Sequence, residues 1–116
     1  MSRTAEFTQL LAERRSELEA RLAAAEGQLD LIRGARSGAT DDDEHDPEGS
    51  TLATEWSRAE GQRADITREL AELDAAFERV ADGTYGVCAS CGTAIPVARL
   101  RLLPAATLCV PCASRL

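Results

Sequence analysis

The sequence predicts an all-α-dominated chain, a long antiparallel two-helix coiled-coil hairpin followed by a small four-cysteine module. Three observations predict it. Two long stretches carry apolar residues in alternating steps of three and four, the period of a helical seam. An acidic segment containing Gly38, Pro47 and Gly49 separates them. Two Cys-x-x-Cys pairs then follow, Cys88/Cys91 and Cys109/Cys112. The expected organisation is a hairpin over residues 1–82, with a tip loop at about 35–49, and the cysteine module over residues 83–116.

In the first helix the seam is Thr8, Leu11, Arg15, Leu18, Leu22, Ala25, Leu29 and Ile32. Ser2 or Thr4 suits its cap, and Gly34 with Gly38 its stop. Residues 41–48 hold six acids, Asp41, Asp42, Asp43, Glu44, Asp46 and Glu48, around Pro47. This pattern reads as an acidic loop. The second seam is the most regular feature of the chain: Leu52, Trp56, Ala59, Arg63, Ile66, Leu70, Leu73, Phe77 and Val80. Only Arg63 is polar there, and its aliphatic stem can lie along apolar surface. Asp46-Pro47 suits an N-cap and first-turn pair, with Ser50 as an alternative start, and Asp82-Gly83 suits the C-terminal stop. Two helices of matching length and a short connection favour an antiparallel hairpin over one leg of an intermolecular bundle. About 30 residues per leg span roughly 45 Å. One side of such a pair stays open to water, so its base calls for a clamp.

Composition narrows the function classes. Aromatic residues are 3% of the chain, so a large conventional core is not expected and a metal, disulfide or partner has to contribute. Net charge is −7, and all 13 basic residues are arginine. That balance opposes contact with a phosphate backbone, so no direct DNA binding is expected. No run approaches the roughly 18 apolar residues of a membrane span, and the N-terminus lacks the pattern of a signal peptide. The expectation is a cytoplasmic protein, in a compartment where paired cysteines hold metal in preference to disulfides.

The chemistry lies in the cysteines. Seventeen residues separate Cys91 from Cys109, within the range of four-cysteine zinc sites. Thiolates three positions apart wrap one ion as a knuckle, and two knuckles complete a tetrahedron. Two disulfides, a redox Cys-x-x-Cys and an iron–sulfur cluster are the competing readings. They call respectively for an oxidising compartment, a larger α/β domain and closer cysteine spacing. Cys88, Cys91, Cys109 and Cys112 are therefore assigned to one structural Zn²⁺ per chain. Four protein sulfurs leave no position for substrate. The site carries a formal charge of about −2, which Arg99, Arg101 and Arg115 are placed to offset. His45, the single histidine, lies in the acidic loop far along the chain from the cysteines. No phosphate-cradling loop or nucleophile set is present in the sequence, and no enzymatic activity is expected.

Gly83-Thr84-Tyr85-Gly86-Val87-Cys88-Ala89-Ser90-Cys91-Gly92, followed by Ile95, Arg99-Leu100, Pro104, Cys109 and Cys112, resembles the zinc module of the DksA/TraR family. The resemblance implies a transcription regulator that binds bacterial RNA polymerase. In that family a coiled coil enters the secondary channel and acidic tip residues act near the catalytic magnesium. It points to Asp43 and Asp46 as the foremost tip residues, with Asp42, Glu44 and Glu48 behind them. Against the family's Asp-x-x-Asp-x-Ala tip, Asp43-Glu-His-Asp46 supplies both aspartates, but Glu48 stands in place of alanine. Leu103 and Ala113 stand where longer members carry basic residues for ppGpp, so no ppGpp response is expected. The alternative reading is a zinc-stabilised coiled-coil interaction module with a different partner and no polymerase activity.

Overall fold

The computed structural model describes residues 3–37 and 47–116. Two long helices dominate, α1 (Arg3–Ser37) and α2 (Pro47–Asp82), followed by the short α3 (Val97–Leu102) and α4 (Val110–Ala113). The one sheet-like pairing among the described residues is an isolated antiparallel bridge between Val87 and Ala94.

α1 runs through Gly34 to Ser37, so this glycine does not stop it. A mid-helix glycine costs only about 1 kcal/mol relative to alanine, which flanking turns can absorb. Thr4 is likewise inside the helix and not its cap; its carbonyl accepts a bond from Thr8 Oγ1 at 2.8 Å. Pro47 opens α2, the position where its missing N–H costs nothing. α2 ends as the sequence suggests, at Asp82. Gly83, with φ of +84°, turns the chain so that the Thr84 amide reaches the Arg79 carbonyl at 2.9 Å. That is the glycine-dependent helix stop. The Asp82 carboxylate accepts from both Thr84 N–H and Thr84 Oγ1.

The chain divides into two compact units, Met1–Ser16 with Leu70–Leu116, and Glu17–Glu69. In the first, the start of α1, the end of α2 and the cysteine module share one core. Phe7, Cys88, Ile95, Leu100, Cys109 and Cys112 are buried together, with Tyr85, Val97 and Leu108 against them. Leu11, Leu73 and Ala76 are also buried in this unit. Arg15 pairs with Asp74 and lies 4.4 Å from the centre of the Phe77 ring. In the second unit, Leu18, Ala25, Leu29 and Ile32 of α1 and Ala59 of α2 are buried. Arg63 keeps its place in the seam half-buried, its guanidinium bound to Glu60 at 3.1 Å. Glu60, by hydrogen bond and by charge, and Glu26 on α1 all favour its charged form. Arg33 approaches the Trp56 ring at 5.6 Å.

The seam positions thus follow the 4-3 pattern of the sequence. Among the described residues of α1 and α2, two buried ones fall outside it. Phe7, 1% exposed, is turned toward the cysteine module, and Ala76, 0% exposed, sits beside the seam where a small side chain fits.

Candidate metal centre

Each knuckle is built by its own backbone. After Cys88 the chain reverses: Gly92 N–H reaches the Cys88 carbonyl at 2.9 Å, and Cys88 N–H reaches the Thr93 carbonyl at 2.8 Å. Gly92 makes this possible with φ of +76°, a conformation that strains any residue with a Cβ. The second knuckle is a helix start. Cys109 precedes α4, Pro111 occupies its first turn, and Ala113 N–H closes onto the Cys109 carbonyl at 2.9 Å. Cys109 and Cys112 therefore flank a single turn with both sulfurs on one side.

The linker between the knuckles is tied down at several points. Ile95 N–H donates to the Gly86 carbonyl at 2.8 Å and Ala89 N–H to the Thr107 carbonyl at 2.8 Å. Tyr85 Oη donates to the Pro104 carbonyl at 2.6 Å, and its ring packs 5.5 Å from that of Phe7. Burial holds this phenol above its ordinary pKa, so it remains a donor at neutral pH. Arg79, at the end of α2, donates to the Ala105 carbonyl at 3.3 Å.

These constraints bring the four thiol sulfurs within 4.8 Å of one another. Sulfurs about 2.3 Å from a tetrahedral zinc lie about 3.8 Å apart. Cys91 Sγ and Cys109 Sγ stand 3.7 Å apart, the spacing zinc requires. The donor chemistry agrees. Backbone amides of Cys91 and Cys109 turned toward Cys88 bring its pKa down to about 6. The Thr93 hydroxyl and amide lower that of Cys91. Cys112, held by its bond to Cys109, is pushed up to about 12. Zinc binding would displace the protons that such thiols hold.

The arginines divide their work differently from the simple charge offset expected. Arg99 Nε donates to the carbonyl of Leu108, the residue before Cys109, at 2.9 Å. Arg101 instead points to α1, its Nε 3.0 Å from Glu6 Oε1. Arg115 is exposed. The module 83–116 contains no acidic residue, so nothing within it adds to the negative charge of the thiolates.

The proposed tip residues Asp42, Asp43, Glu44 and Asp46 lie outside the described residues, as does His45. Glu48 falls in the first turn of α2. No described helix is long and apolar enough to cross a membrane.

Comparison with known proteins bears on this architecture. Residues 83–116 match the family described as prokaryotic dksA/traR C4-type zinc finger. An uncharacterized protein of Aquifex aeolicus is 46% identical over 44 residues, 38% of this chain and 30% of that one. General stress protein 16O of Bacillus subtilis is 38% identical over 69 residues, 59% of this chain and 42% of its own length. The chain therefore spans less than half the length of these two relatives. Among solved structures, transcription factor DksA2 from Pseudomonas aeruginosa aligns over 97% of this chain and 81% of its own. Its TM-score is 0.81 at 28% identity. Residues 83–116 thus resemble a DksA/TraR-type C4 zinc finger, and the fold is similar to that of transcription factor DksA2.

Proposed function

We propose that this chain, with its DksA/TraR-type finger and DksA-like helices, is a cytoplasmic transcription regulator that binds bacterial RNA polymerase through the secondary channel. The observation that carries the reading is the combination of the zinc-spaced sulfur cluster with a TM-score of 0.81 to a DksA transcription factor. One Zn²⁺ per chain, held by Cys88, Cys91, Cys109 and Cys112, is structural: with four sulfur ligands it presents no position for substrate. Regulation then falls to the acidic segment between α1 and α2, with Asp43 and Asp46 foremost and Asp42, Glu44 and Glu48 in support. Six acids in residues 41–48 exceed what capping one helix requires. Neither direct DNA binding nor ppGpp binding is part of this function, in keeping with the net charge of −7.

The test is retention on core RNA polymerase, with competition by another secondary-channel factor, followed by open-complex lifetime on a sensitive promoter. The variant Asp43→Asn/Asp46→Asn is expected to bind polymerase and lose the effect on lifetime. A double variant as active as the wild type refutes the tip mechanism. The replacement of alanine by Glu48 in the tip pattern favours a second reading, a zinc-stabilised coiled-coil module serving another partner. Failure of the polymerase to retain the protein, with a different bait retaining it, would select that reading.

A further inference from the structure

The four metal ligands are not equivalent. Cys88, Cys109 and Cys112 are 2%, 7% and 8% exposed and belong to the core that contains Phe7, Ile95 and Leu100. Cys91 is exposed. Its sulfur also has a side-chain neighbour, Thr93 Oγ1, at 2.9 Å. A thiolate can only accept, so toward ionised Cys91 the Thr93 hydroxyl is the donor. Thr93 is itself held in place, because its carbonyl receives the Cys88 amide at 2.8 Å across the Gly92 turn.

We infer that Cys91 is the edge at which zinc enters and leaves the site, and that the Thr93 hydroxyl is the positioning group that keeps this edge closed. An incoming donor atom, from a chelator or a metal-carrying thiolate, has to reach the ion from solvent, and three of the four sulfurs are backed by the apolar core. Exchange therefore starts at Cys91. With zinc bound, the incoming donor would replace the Cys91 sulfur on the ion, and the freed thiolate would be protonated by hydronium or buffer acid from solvent. The hydrogen bond from Thr93 opposes this step in two ways. It fixes the direction of the Cys91 sulfur, and it occupies the lone pair through which a proton or an electrophile would attack. Hydrogen-bond partners of metal ligands elsewhere contribute about 10–100-fold in affinity. This inference does not depend on polymerase binding and goes beyond it.

The experiment uses the zinc-loaded full chain and a chromogenic pyridylazo chelator in excess. Thr93→Val keeps the shape and removes the donor; its zinc release is expected to be about tenfold faster than wild type. Thr93→Ser, which restores the hydroxyl, is expected to release zinc at close to the wild-type rate. In the cobalt-substituted protein, the thiolate-to-cobalt charge-transfer band should shift in Thr93→Val and return in Thr93→Ser. Limited N-ethylmaleimide treatment of the wild-type zinc protein, mapped by mass spectrometry, should label Cys91 first. Wild-type release from Thr93→Val, a serine variant that behaves like the valine one, or earlier labelling of Cys109 or Cys112 would each overturn the inference. The labelling order needs no variant, so it decides the matter even if Thr93→Val folds poorly.

Discussion

Two kinds of residue carry the zinc end of the molecule, those that bind the metal and those that shape the chain for it. Asp82 is of the second kind. Its carboxylate accepts from the Thr84 amide and hydroxyl, which together hold its pKa below the usual carboxylate value. A group with a depressed folded pKa stabilises the fold above its unfolded pKa, and this contribution disappears as pH falls through the lower folded value. Asp82→Asn should therefore melt earlier than wild type at neutral pH, and the two melting temperatures should draw together as pH falls from about 4 through the lower folded value. Thermal melts between neutral pH and about pH 2.5 read this directly, and parallel curves at all pH values would remove Asp82 from the account. Tyr85 is also of the shaping kind. Its hydroxyl reaches the Pro104 carbonyl at 2.6 Å while its ring meets Phe7. Tyr85→Phe leaves that half-buried carbonyl without its donor and should cost about 1–2 kcal/mol in denaturant titrations of the zinc-loaded protein.

At the scale of the element, the paired helices depend on a narrow apolar seam. Leu18 is 1% exposed, and Leu18→Ala should cost about 2–5 kcal/mol by denaturant unfolding with zinc saturating. Leu22, a half-buried position of the same seam, should cost less. Ala76 tests the opposite error. Ala76 is fully buried beside the seam, so Ala76→Leu should destabilise by about 1–3 kcal/mol through overpacking. The seams were legible because helix periodicity is local: each position follows from its neighbours three and four residues away. Ala76 was not, since its neighbour Phe77 takes the seam position four residues after Leu73. Gly34, by contrast, does not stop α1. A glycine marks a helix end only when the chain turns there, as it does at Gly83 with φ of +84°, and nothing in the residue itself distinguishes the two cases.

For the molecule as a whole, the unit made of the helix ends and the finger has a core in which three of the four cysteines take part. Metal binding and the packing of that unit are therefore one equilibrium. Stripping zinc with a strong chelator should remove hydrogen-exchange protection from residues 83–116 and from the turns of α1 around Phe7. Protection that survives chelation throughout the finger would show that the apolar core suffices without metal. Phe7→Ala probes the same coupling from the helix side. It should cost about 3–5 kcal/mol in stability of the zinc-loaded chain, the value of a fully buried aromatic, and weaken zinc retention with it.

The two helical seams and the four-cysteine set with its zinc spacing follow from local pattern alone. Each of these is written in short-range order, a period of three or four residues or a Cys-x-x-Cys knuckle. The roles of the surrounding side chains were decided only in three dimensions. Arg101, 95 residues from Glu6, binds that residue in preference to facing the sulfurs, and Phe7 leaves the seam pattern to cover the finger. Such contacts depend on which distant surfaces meet, and no local pattern encodes that. The same is true of the asymmetry among the ligands. Cys88 and Cys91 are equivalent as members of a Cys-x-x-Cys pair, and packing against the apolar core buries one while leaving the other at the surface.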